Sequence, residues 1–163
     1  MTLPERVEII FPAIQWRQEG GRVDAPALPG DAGFDLVTSA PARWKGSHLG
    51  PVRIPLGVRV ALPPGYFALL LGRSSATTHF GVQVLPSVID GGYRGPLFAH
   101  VLGFDRRPGA EYLIPAGVRL CQLVPLPLSG LALSQQSQLP PSDRGEAGFG
   151  STGGLEPSEE VRS

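Results

Sequence analysis

The stretch Pro86-Ser-Val-Ile-Asp-Gly-Gly-Tyr-Arg-Gly-Pro-Leu97 sets one carboxylate and one phenol beside a double glycine. Leu85, Val88 and Ile89 lead in, and Leu97, Phe98 and Val101 lead out. The pattern predicts a β-hairpin connected by Gly91-Gly92, with the positive φ angles that suit glycine. Asp90 enters the turn and Tyr93 leaves it, so an acid and an aromatic ring meet at the mouth of one concave element. Two readings stand at this point. Asp90 caps the turn and Tyr93 packs on it, since Asp before Gly is ordinary turn chemistry; or the pair forms a reactive site.

Outward from this turn the chain keeps the same character. Its 163 residues include 22 Gly and 18 Pro, which cut it into segments too short for regular helices. One domain with a real core and an all-β architecture are expected. Strand character falls on residues 7–11, 33–37, 52–62, 66–71, 82–85, 98–104, 111–114 and 118–126. Residues 66–71 are continuously apolar, as in a strand buried on both faces or at a subunit contact. Residues 15–30 and 40–51 read as polar loops, and a turn or so of helix is expected around 76–80. Beyond residue 127 Ser, Gln and Pro dominate, with Leu131, Leu133 and Leu139 as isolated anchors, which reads as an arm. The expected organisation is a β-barrel domain over 1–126, an arm over 127–155 and a disordered acidic tail over 156–163.

Composition also excludes functions. Fourteen basic residues balance 14 acidic ones, so no electrostatic footprint for a nucleic-acid backbone exists. Cys121 is the only cysteine, which excludes an intrachain disulfide and a cysteine-rich zinc site. The opening Met-Thr-Leu-Pro-Glu-Arg lacks the apolar stretch of a signal peptide, and no run approaches membrane-spanning length. A cytoplasmic protein without a membrane partner is expected.

Several residues suggest chemistry. Arg73-Ser74-Ser75 combines a guanidinium fork with two hydroxyls, which suits phosphate oxygens or an ordinary surface turn. Gly148-Phe-Gly-Ser-Thr-Gly153 exposes backbone amides beside two hydroxyls, an anion-binding composition without the lysine of a Walker loop. Phe149 is suited to cover a nucleobase by stacking, with Arg144 nearby to reach a phosphate. Asp35 and Gln122 are polar residues inside apolar runs, either satisfied structurally or holding water on a metal. Cys121 reads as a small core residue. The three histidines, His48, His79 and His100, show no metal-ligand spacing, and His79 beside the Arg-Ser-Ser turn is the one that stands out.

In order along residues 32–153, five stretches resemble the five motifs of the trimeric deoxyuridine triphosphatases (dUTPases). They are Ala32-Gly-Phe-Asp-Leu36, Gly72-Arg-Ser-Ser75 through Gly81, residues 87–95 of the opening stretch, Ala116-Gly-Val-Arg-Leu-Cys-Gln-Leu123, and Arg144-Gly-Glu-Ala-Gly-Phe-Gly-Ser-Thr-Gly153. The resemblance implies a jelly-roll-like distorted barrel, a homotrimer with active sites at subunit interfaces, and an extended C-terminal arm that closes a neighbour's site. It implies Mg2+-dependent hydrolysis of dUTP to dUMP and pyrophosphate, which limits uracil incorporation into DNA and supplies dUMP. By it Asp90 deprotonates the water that attacks the α-phosphate, and Asp35 and Gln122 hold metal-bound waters. Arg73, Ser74 and Ser75 bind phosphates. Tyr93 packs under the deoxyribose, while the backbone around Pro86, Val88 and Ile89, together with Phe98, binds uracil. Phe149 covers the base, and Arg144, Gly150, Ser151 and Thr152 hold the γ-phosphate.

The chain departs from the family pattern at Gly92, where a second acid is common, and at Val118, Ala147 and Gly72. The rivals are a dCTP deaminase of the same fold and a nucleotide-binding regulator without turnover. The fifth motif and the Ile-Asp-Gly-Gly-Tyr turn favour the hydrolase.

Overall fold

The computed structural model describes residues 13–46, 50–105, 109–143 and 145. The strand expected over 7–11, His48 and the tail over 156–163 lie outside them. Twelve strands and one helix occur among the described residues. The strands are β1 (Gln15–Gln18), β2 (Arg22–Asp24), β3 (Phe34–Val37), β4 (Ala42–Lys45), β5 (Val52–Pro55) and β6 (Val58–Ala61). They continue as β7 (Tyr66–Gly72), β8 (Val82–Leu85), β9 (Ser87–Ile89), β10 (Phe98–Gly103), β11 (Glu111–Ile114) and β12 (Arg119–Pro127), with helix α1 (Ser74–Phe80) after β7. The all-β expectation therefore holds, with a single short helix.

Every pairing is antiparallel. The largest sheet runs β2-β3-β12-β7-β9, a second runs β5-β10-β8, and β1-β6 and β11-β4 are ribbons. Alternation sends one face of each strand inward, as in β6, where Val58 and Val60 are buried and Arg59 and Ala61 are not. Leu36, Ile54, Leu56, Leu70, Leu97 and Ile114 are among the fully buried side chains of one continuous core. Burial of apolar surface on this scale is the main favourable contribution to folding.

The strands that sequence patterning missed are edge or ribbon strands. β1 is exposed at all four residues and β2 at its first, so neither shows alternating burial. β4 is held through its partner β11, where Trp44 stacks on Tyr112 with ring centroids 4.9 Å apart. The single strand expected over 52–62 is two, β5 and β6, divided at Leu56-Gly57, where Gly57 turns the chain at φ +60°. Its carbonyl accepts the N–H groups of Glu19 and Gly21 at 2.6 and 3.0 Å. In β7, Ala68 and Leu70 are fully buried and Phe67, Leu69 and Leu71 only half-buried, so one face alone is sealed within the chain.

The opening stretch is also not a simple two-stranded hairpin. Its incoming arm β9 pairs with β7, and its outgoing arm β10 pairs with β5 and β8. The turn is a crossing from one sheet to another. Neither Gly91 nor Gly92 has positive φ. Gly91 is needed for space instead, since a Cβ there would lie 2.5 Å from the Tyr66 carbonyl oxygen, whereas Gly92 has nothing within 4 Å.

A bulge in β12 between Arg119 and Cys121 sends both Leu120 and Cys121 inward. Thr38, the buried polar residue of the core, donates to the Pro115 carbonyl at 2.8 Å and accepts the Val118 N–H at 3.0 Å. Residue 118 thus serves here through its backbone. At Gly72 a Cβ would lie 2.9 Å from Val84 Cβ, so this chain has no space for the family's frequent proline there.

Residues 1–129 form one compact unit and 130–163 another. The described residues of the second have no helix or strand and are all exposed, including Leu131, Leu133 and Leu139.

Two measurements probe this packing. Gly57→Ala combines positive-φ strain with a Cβ 2.4 Å from the Gly21 nitrogen and from Ser39 Cβ. It is expected to lower unfolding free energy by about 2–4 kcal/mol in denaturant titration. Gly65→Ala, at φ +80° with nothing near, is expected to cost only about 1–2 kcal/mol. Burial pushes the Cys121 thiol from 9.0 up to about 12. The native thiol is therefore neutral at pH 8, and a thiol reagent is expected to label one cysteine per chain only after unfolding. Because the folded pKa is the higher one, this group costs no stability below pH about 9 and lowers it as pH rises towards 12.

Candidate active site

Strand β3 carries Asp35 between two other polar positions of its sheet. In register it faces Asp24 of β2 on one side and Gln122 of β12 on the other. Two carboxylates directly opposite repel, and arginines offset them. Arg73, at the N-cap of α1, donates to Asp35 Oδ2. Arg119 donates to Asp24 Oδ2 at 2.7 Å and lies 3.9 Å from Asp35 Oδ2. Arg22 donates to Asp24 through Nε and, at 3.1 Å, through Nη2. The Arg22 guanidinium first, and Arg119 after it, hold the Asp24 carboxyl below its ordinary value. Asp24 therefore stays ionised through neutral pH.

This network borders a polar depression of about 330 Å3 lined in part by Asp31, Asp35, Arg73, Ser74, Arg119 and Gln122. Four of the expected site residues, Asp35, Arg73, Ser74 and Gln122, are thus together. Ser75 lies in the first turn of α1 outside that lining. Arg119, Asp24 and Asp31 were not singled out from sequence. The alternation Arg22-Val-Asp24 was a usable sign, but it needs the β2–β3 register to place it. Among the described residues no group of three or more His, Cys, Asp or Glu could hold a metal ion directly.

A second, smaller depression of about 200 Å3 lies at the turn, with Val88, Ile89, Asp90, Tyr93, Phe98 and His100 in its lining. Pro86 precedes this wall and is exposed. Strand β9 is an edge of its sheet, paired only with β7 among the described residues, so one row of its backbone groups faces away from any strand. Tyr93 N–H donates to the Asp90 carbonyl at 3.0 Å and closes the turn. Arg94 Nη1 donates to the carbonyls of Gly91 and Tyr93 at 2.9 and 2.7 Å, and Arg59 Nη1 donates to the Arg94 carbonyl at 3.1 Å. Arg53 stands over the Phe98 ring, 4.4 Å from its centroid. That guanidinium covers one ring face, leaving the Phe98 edge and backbone for contact.

His100, not His79, belongs to this lining. It shares the β10 face with Phe98 because residues two apart in a strand point the same way. His79 instead borders another depression with Phe80, Phe104 and Tyr112. Cys121 is buried and protonated, as a core residue. The two depressions share no lining residue, so the chain does not by itself bring Asp90 and Tyr93 into one pocket with Arg73, Ser74, Asp35 and Gln122. Arg144, Phe149, Gly150, Ser151 and Thr152 lie outside the described residues.

The dUTPase family model matches residues 21–153. The deoxyuridine 5'-triphosphate nucleotidohydrolase of Dictyoglomus turgidum is 42% identical over 131 residues, covering 78% of this chain and 87% of its own. That of Leifsonia xyli is 37% identical over 134 residues, covering 81% and 86%. A Staphylococcus bacteriophage 80alpha dUTPase solved with dUPNHPP superposes with a TM-score of 0.75 at 25% identity, over 86% of this chain and 98% of that one. A phage phi11 dUTPase, described with a structural Mg(II) ion, gives 0.65 at 24% identity over 77% and 97%, and speaks to the fold alone. On the family match and these identities, the chain belongs to the dUTPase family.

Proposed function

We propose that the chain hydrolyses dUTP to dUMP and pyrophosphate, with the edge strand β9 and the Asp90–Tyr93 turn as the nucleoside side of the site. The observation that carries this reading is the free edge of β9 beside Asp90. Backbone donors and acceptors in a fixed row match one base edge and leave another mispaired, which discriminates uracil from cytosine strongly. The backbone around Pro86, Val88 and Ile89, with Phe98, binds uracil, and the narrow wall leaves no space for a 5-methyl group. Tyr93 packs under the deoxyribose and excludes a 2′-hydroxyl. Asp90 is the general base: it takes a proton from the water that attacks the α-phosphorus, and pyrophosphate leaves.

The triphosphate lies against Arg73, Ser74 and Ser75. Magnesium fits this side as a hydrated ion carried by the nucleotide, because it keeps several waters and needs few protein ligands. Arg73 and Arg119 both approach Asp35 Oδ2, which leaves Oδ1 to accept from a metal-bound water, with Gln122 beside it. When bound, the metal takes charge from the phosphate oxygens of the leaving group.

Since the two halves of the site line separate depressions, a complete site joins the turn of one subunit to the arginine–carboxylate side of another. A homotrimer with three interface sites supplies this arrangement. Residues 1–126 form the barrel of each subunit and 127–155 its arm. The arm brings Phe149 over the base and Arg144, Gly150, Ser151 and Thr152 to the γ-phosphate. No helix among the described residues is long and apolar enough to cross a membrane, and the site of action is the cytoplasm, where the reaction supplies dUMP and keeps uracil out of DNA.

Pyrophosphate release is expected from dUTP and not from dCTP, dTTP or UTP, and to fall sharply when EDTA removes magnesium. Ammonia release from dCTP would refute the assignment. Asp90→Asn is expected to lower kcat by about 100- to 10,000-fold, the range for a lost general base. Binding of a non-hydrolysable dUTP analogue and the melting temperature should change little, because Asp90 is exposed. Unchanged turnover in that variant would remove Asp90 from the mechanism.

A further inference from the structure

The turn contains a glycine whose purpose is not conformational. Gly95 has no positive φ, so no left-handed backbone demands glycine at this position. Yet a Cβ there would lie 2.2 Å from the Tyr93 phenol oxygen, 2.4 Å from Cζ and 2.8 Å from Cε2. The Tyr93 hydroxyl donates to the Pro96 carbonyl at 3.0 Å, so the ring folds back along its own turn and its outer half occupies the place of a residue 95 side chain. Gly92 in the same turn has nothing within 4 Å. The contrast isolates the ring, not the turn, as the reason for glycine at 95.

We propose that Gly95 is a positioning residue that sets which sugar the site accepts, by leaving open the space in which the Tyr93 ring lies. The proposal rests on Tyr93 acting as the sugar gate. Tyrosine turns about only two side-chain torsions, and its ring is rigid, so its tip cannot yield alone. Relief of the contact moves the whole ring by about 1 Å, a displacement of the size that costs catalytic sites large factors in rate. The move also breaks the bond to the Pro96 carbonyl and frees the ring from the orientation in which it meets C2′. Proline at 96 and glycine at 95 thus form one device: the first supplies the acceptor and fixes the chain, the second removes the obstacle.

The test measures kcat/KM for dUTP and for UTP in the wild type, Gly92→Ala, Gly95→Ala, Tyr93→Ala and the double variant Tyr93→Ala/Gly95→Ala. Gly95→Ala is expected to lower the dUTP-to-UTP preference by about tenfold or more, and Gly92→Ala to leave it unchanged. In the Tyr93→Ala background the added Gly95→Ala should change the preference by less than about twofold, because the group it disturbs is gone. A preference retained by Gly95→Ala, or lowered equally in both backgrounds, overturns the proposal while leaving the sugar gate standing. A preference unchanged in Tyr93→Ala alone overturns the gate and the proposal with it. Should Gly95→Ala fold poorly, its melting temperature is expected to recover in the double variant, and failure to recover overturns the steric account.

Discussion

Everything at the nucleoside side depends on how residues 90–97 are clamped between two sheets. On one side β9 is hydrogen-bonded to β7, with Ser87, Val88 and Ile89 opposite Leu70, Leu69 and Ala68. On the other side buried Leu97 exchanges backbone bonds with its neighbours: Leu56 N–H donates to its carbonyl at 3.1 Å and its own N–H donates to Val58 at 2.9 Å. The chain between these anchors has no freedom to drift, because each end belongs to a different packed layer. Close approach does the rest. Gly91 lies against the Tyr66 carbonyl, the Arg94 guanidinium ties two turn carbonyls together, and Arg59 holds a third. An acid and a phenol are therefore presented at an exposed surface on a rigid support, which is what a catalytic constellation needs.

The phosphate side is built on a different principle. Asp24, Asp35 and Gln122 form one row across three adjacent strands, and the two acids would repel without Arg22, Arg73 and Arg119 around them. Charges are interleaved, so the surface is neither a pure anion trap nor a metal cage. In the site proposed above, such a surface receives a triphosphate that carries its own cation, matching one charge pattern to another. That also explains how a chain with zero formal charge serves a highly charged substrate.

The sequence made the chemistry of this protein more legible than its geometry. Asp90 and Tyr93 flank a double glycine, Asp35 and Gln122 are polar groups inside apolar runs, and Arg73 and Ser74 follow a strand end; each falls at one of the two depressions. Among the described residues the apolar runs became strands, and the helix appeared where a turn of one was expected. What escaped depends on contacts distant in sequence. β1 and β2 show no alternation of buried apolar residues, since all of β1 is exposed and only Val23 and Asp24 of β2 are half-buried, and β4 is fixed by the Trp44–Tyr112 stack across to β11. Gly91 suggests a positive φ from sequence, whereas its constraint is the carbonyl of Tyr66, 25 residues earlier in the chain. Arg59 and Asp24 reach the sites only through strand register, which no local pattern encodes.

In the proposed site, catalysis joins the turn of one subunit to the arginine–carboxylate side of another. The direct measurement is complementation between two inactive variants, Asp90→Asn and Arg73→Ala, unfolded together and refolded as an equal mixture. Random assembly into closed trimers leaves both halves intact in about one site in four, so the mixture should regain roughly a quarter of wild-type pyrophosphate release. Each variant refolded alone should show almost none. A mixture no more active than its parents, with each variant correctly folded and assembled, would mean that a single subunit holds the whole site and would rule out the shared one.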